Sequence, residues 1–134
     1  MSVPRRPSLG MMADAGLNLL VASAALRIVS FDRIVRRIRT PRAAPSCTAE
    51  EALAIRRALD AWDRRLPWRT MCFEQGLAAQ WMLRRRGLAA ILHYGATKSG
   101  PDLKAHVWVT SGDTEVVGCE NKDDYALLAR FPND

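Results

Sequence analysis

The chain has 134 residues, 49% hydrophobic and 25% charged, a balance that suits one folded domain with a core and excludes a disordered segment. Its three cysteines, Cys47, Cys72 and Cys119, show no CxxC spacing, so they read as reduced thiols of a cytoplasmic protein and not as a disulfide scaffold. The net charge of +6 reads either as a soluble basic surface or as a site for an acidic peptide or protein; the arginines do not interleave with aromatics, which argues against nucleic acid.

Residues 1–10 carry Pro4, Pro7 and Gly10 and read as a loose tail. From Met11 to Arg39 apolar residues recur at helical spacing, through Leu19, Ala22, Leu26 and Val29, then Ile34, Val35 and Ile38. Ser30 or Asp32 divides this run into two helices and caps the second. The stretch Leu17–Phe31 is broken by Asn18, Ser23 and Arg27 and falls short of the roughly 20 apolar residues a spanning helix needs, so it reads as an amphipathic packing helix. Asp14 before it and arginines after it do not suit a signal peptide. Membrane-surface contact by Arg33, Arg36, Arg37 and Arg39 is the minor reading.

Pro41 and Pro45 mark a linker, which sets residues 1–46 as a tail and helical extension and 47–134 as the main domain. Thr48 followed by Glu51 is a capping box and opens a helix to about Arg65, with Ala52, Ile55, Leu59 and Trp62 on one face and Leu66-Pro67 as its end. After the loop Pro67–Arg69, Thr70 suits the N-cap of a helix over Met71–Arg86; Gly87 follows as its left-handed C-cap, and Arg84–Arg86 complement the dipole. Strands are expected over Ala89–Tyr94, Lys104–Thr110 and Thr114–Cys119, with Ser111-Gly112-Asp113 as a hairpin turn. Tyr125–Phe131 reads as a closing strand or a short helix. Helices first and an antiparallel sheet afterwards make the fold class α+β.

Cys72 falls in the first turn of a helix, where unpaired N–H groups and the dipole favour a thiolate, the nucleophilic form. The bland alternative is a cysteine packed as a small hydrophobe. His106 lies in the alternating strand Ala105-His106-Val107-Trp108-Val109, and a Cys–His couple needs both groups on rigid adjoining elements. His93, before Tyr94, reads as structural or surface. Three cysteines and two histidines lack zinc-like spacing, and no Gly-rich segment joins a strand to a helix, so neither a metal nor a phosphate site is expected.

Taken together, Pro67-Trp68-Arg69 leading into Met71-Cys72, then Ala78-Ala79-Gln80, Leu83-Arg84-Arg85-Arg86-Gly87, Tyr94-Gly95, Ala105-His106-Val107-Trp108-Val109 and Gly118 resemble a known family. This is the transglutaminase-like cysteine protease domain of the microcin-processing B proteins of lasso peptide biosynthesis, matched over about Thr48 to Phe131. The preceding helical segment is similar to the family's N-terminal extension. The resemblance implies a transglutaminase/papain-like core and a leader peptidase that cuts a ribosomally made precursor peptide, with Cys72 as nucleophile and His106 as general base and acid. The length resembles the split form, which relies on a separate leader-recognition protein. An asparagine-synthetase-like lasso cyclase then closes the ring; ATP serves that partner, and no cofactor is bound by this chain. Many members carry an aspartate on the next strand to orient the histidine. With a two-residue turn at Gly112-Asp113, Cys119 stands opposite His106 instead, which leaves Glu120, Asn121, a backbone carbonyl or a bare dyad. Acyl transfer, a non-catalytic precursor-binding adaptor and a membrane-surface helical protein are the competing functions.

Overall fold

The computed structural model describes residues 8–36, 44–66, 72–99, 102–120 and 122–131. Thr70, Met71, Asn121, Arg37, Ile38, Arg39 and the Pro67–Arg69 loop lie outside them, so the expectations placed there have no structural counterpart. The first helix, α1 (Leu9–Ile28), starts earlier than the tail reading allows because Ser8 caps it, its Oγ accepting from Met11 N–H at 3.1 Å. A short α2 (Phe31–Arg36) follows, with Ser30 Oγ accepting from Arg33 N–H. In α3 (Ala49–Arg65) both halves of the expected capping box form: Glu51 N–H donates to Thr48 Oγ1 and Thr48 N–H to Glu51 Oε1, at 3.1 and 2.9 Å. Helix α4 (Cys72–Arg85) ends at Gly87, whose φ of +72° lets Leu88 N–H reach back to Leu83 O at 3.0 Å.

Four antiparallel strands complete the chain: β1 (Ile91–Ser99), β2 (Asp102–Ser111), β3 (Thr114–Val117) and β4 (Ala126–Phe131), in the order β3-β2-β1-β4. The segment left open as strand or helix is therefore an edge strand on β1. Helices α1, α3 and α4 share one core with the sheet, built on Leu19, Ile55, Leu59, Leu77, Leu92, Val107 and Val109. Buried Gln80 ties α4 to both β4 and the entry to β1, its Nε2 donating to Phe131 O at 2.8 Å and Ala90 O at 3.3 Å.

Helix α1 departs from the amphipathic expectation. Ala15, Leu19 and Ala22 are buried, yet Leu17, Leu20 and Val21 on its outer side stay exposed. At 20 residues and a mean hydropathy of 1.5, it is long and apolar enough to cross a membrane by length and composition, which the Leu17–Phe31 stretch alone is not. Its polar residues are tied down: Asp14 pairs with Arg85 and Arg86, and Asn18 Nδ2 donates to Asp14 O and Oδ1.

Candidate active site

Cys72 opens α4, and α4 lies against β2. The contact is close because Gly76, one turn on, offers no side chain: a Cβ there would stand 2.9 Å from Val107 Cγ2. The backbone N–H groups of Val107, Phe73 and Cys72 itself are directed at the sulfur and favour the thiolate. Burial outweighs them and pushes the thiol above its ordinary value. The donors expected at the helix start are present, but desolvation outweighs them. The next residue, Phe73, joins an aromatic cluster, edge-on to Phe31 at 4.7 Å and 6.2 Å from Tyr94.

His106 follows from strand alternation. Val107 faces α4, so His106 and Trp108 face the other side of the sheet. There the His106 ring lies 5.9 Å from Trp108 and 5.0 Å from Tyr125. Its Nε2 is 2.7 Å from Gly118 O. A carbonyl only accepts, so Nε2 carries the proton, and in the neutral ring Nδ1 is left with the lone pair a base requires.

The orienting group is not where a regular hairpin would put it. The turn at Gly112-Asp113 does form, with Ser111 opposite Thr114, but the register slips between Val109 and Thr110, so Val109 faces Val117. Pairing stops there, and Gly118 leaves β3 with a φ of +72°, so close to β2 that a Cβ would lie 2.8 Å from Val107 O. Cys119 therefore does not stand opposite His106. Its thiol points back at Val117 O and Val109 O, 3.4 and 3.5 Å away, and burial with the nearby Glu115 carboxylate pushes it up to about 11. Glu120 is exposed, and its charge is felt by Asp60 on α3. Of the orienting groups considered that fall among the described residues, the backbone carbonyl of Gly118 is the one that touches the ring. Sequence pattern could not reveal it, because a carbonyl leaves no residue-type signal.

The two groups are thus attached at adjacent residues of β2 but on opposite faces of the sheet. The sulfur meets Val107 N–H, and the imidazole of His106 is anchored where β3 departs. Among the described residues no hydrogen bond joins Cys72 to His106. His93 takes a structural place, with Nε2 2.9 Å from Thr110 Oγ1 and its ring stacked on Trp108 at 5.5 Å. Burial, with Arg130 and Lys122 nearby, holds it below the usual histidine range. Cys47 is buried, and its N–H donates to Ser111 Oγ at 2.8 Å.

A family model described as Transglutaminase-like superfamily matches residues 16–130. No curated protein and no solved structure matches the chain.

Proposed function

Because the chain belongs to the transglutaminase-like superfamily, whose members work by cysteine-dependent acyl transfer to water or to an amine, we propose that it is a cysteine peptidase that removes the leader from a lasso peptide precursor. The observation that carries this reading is that the Cys72 sulfur meets the backbone N–H of Val107, the residue after His106 on β2, while a carbonyl-anchored imidazole leaves Nδ1 as acceptor. The motif run from Pro67 to Gly118 supports the precursor as substrate.

In the proposed reaction, His106 Nδ1 takes the proton from Cys72, which requires the ring to leave its place beside Trp108 and Tyr125 and reach the α4 face of the sheet when substrate binds. The thiolate attacks the carbonyl at the leader–core junction, and N–H groups at the start of α4 hold the oxyanion. The C–N bond breaks as His106 returns its proton to the leaving amine. Water, deprotonated by His106, then hydrolyses the thioester and frees the thiol. The raised thiol makes the histidine a working base, in contrast to a preformed thiolate–imidazolium pair. A separate leader-recognition protein, an ATP-using cyclase and a cytoplasmic setting complete the proposal.

The test supplies precursor and recognition protein to the wild type and to Cys72→Ala, with products weighed by mass spectrometry. Free leader and free core from the wild type, and none from Cys72→Ala, are expected. Cleavage by Cys72→Ala at the wild-type rate refutes the assignment; an amine-bearing or crosslinked product makes the enzyme a transferase.

A further inference from the structure

We propose that the groove between α1 and α4 docks an amphipathic, acidic helix of a partner polypeptide. Leu17, Leu20 and Val21 are 56%, 52% and 49% exposed, in a molecule whose other large apolar groups mostly sit in the core. With Ala24 and Ile28 they recur at i, i+3, i+4, i+7 and i+11, the spacing by which one helix packs on another. The α4 side adds Trp81: Leu17, Asn18, Val21, Trp81, Arg84 and Arg85 line an open depression of about 470 Å3, and Leu20, Ala24 and Ile28 line a second one of about 410 Å3 further along α1.

Charge selects the occupant. Arg84 forms the wall, and its Nη1 is buried with no hydrogen-bond partner, a costly state for a guanidinium. The carboxylates nearby are already engaged: Asp14 by Arg85 and Arg86, Glu74 by Ser23 Oγ at 2.5 Å. The half-buried Arg84 guanidinium lines the groove, and among the described residues no carboxylate pairs with it, so a carboxylate on a partner's side chain can make a charge-assisted bond to its accessible part. A bilayer presents a plane of headgroups and suits a recessed guanidinium poorly. An apolar stripe flanked by aspartate or glutamate satisfies both features at once. Arg84 lies twelve residues from Cys72 on the same helix, roughly 18 Å along its axis, so this surface stands apart from the sheet edge and holds whether or not Cys72 is a nucleophile.

Fluorescence anisotropy with a labelled peptide of repeating Leu-Glu-Glu-Leu-Ala-Lys-Glu tests this, beside a version with lysine for glutamate. The acidic peptide is expected to bind in the micromolar range and the basic one at least about tenfold more weakly. Arg84→Gln and Val21→Asp, each checked for folding by circular dichroism, should each weaken the acidic peptide by about fivefold or more. Absent binding, equal binding of the two peptides or indifference to both substitutions overturns the proposal. So does preferential uptake by vesicles of phosphatidylcholine with about 30% phosphatidylglycerol through the same residues, which makes the surface a membrane contact. A dimer in sedimentation that Val21→Asp dissolves overturns it in favour of a second copy.

Discussion

Gly76→Ala tests the contact that brings α4 and β2 together. Alanine in a helix interior is favoured over glycine by about 0.5–1 kcal/mol, so propensity alone predicts a more stable protein. Packing opposes it. The new Cβ would stand 2.9 Å from Val107 Cγ2 and 3.5 Å from Leu92 Cδ1, against the roughly 3.5–4.0 Å at which carbons rest comfortably. Val107 is 1% exposed and β-branched, so it has no free rotamer to move into and β2 must retreat. Overpacking of this kind costs about 1–3 kcal/mol, which leaves a net loss of about 1 kcal/mol after the propensity gain. Function should suffer more than stability, because Val107 N–H faces the Cys72 sulfur and the next residue back is His106. Urea unfolding measures the first quantity, and precursor cleavage the second, with a loss of about tenfold expected. Val107→Ala in the same chain should recover much of the stability by removing the obstructing methyls. A Gly76→Ala protein more stable than the wild type and equally active would refute the packing argument.

Gly118→Ala should be worse. A left-handed φ of +72° costs a β-carbon about 1–2 kcal/mol, and here it also meets Val107 O at 2.8 Å. A lower melting temperature and a cleavage rate down at least about tenfold are expected, with nitrogen NMR showing the His106 proton on Nε2 in the wild type and a mixture in the variant. Acid stability follows from His93, whose folded value is held below normal: the unfolded chain binds its proton first, so stability falls as pH drops below about 6.5. Urea midpoints at about pH 7.5 and 5 should converge in His93→Gln. The alkaline side has the opposite sign for Cys119. The fold keeps a proton up to about 11 that the unfolded chain releases from about 9, so stability declines across that window, less steeply in Cys119→Ala.

Local chemistry was the legible part of this sequence. Thr48 and Glu51 announce the start of α3, Gly87 the end of α4, and the alternation around His106 its strand, because each signal is satisfied within a few residues. What escaped depends on neighbours far along the chain. The slip between Val109 and Thr110 moves every later residue of β3 relative to β2, and so replaces Cys119 by the Gly118 carbonyl at the imidazole. The thiol at the helix start was read from the dipole alone, whereas its titration is governed by burial that only the packed fold creates. Likewise α1 carries apolar residues on nearly all sides, and only its packing on α3 and α4 distinguishes the buried Leu19 from the exposed Leu20.

Alkylation by iodoacetamide, followed residue by residue across pH in the wild type and in His106→Ala, tests the account most directly. If imidazole and thiol act as one unit once substrate binds, adding precursor peptide and recognition protein speeds Cys72 alkylation near neutral pH, and loss of the ring removes that gain of about tenfold or more while Cys47 and Cys119 are unchanged. No gain at Cys72, or a gain indifferent to His106→Ala, would contradict it.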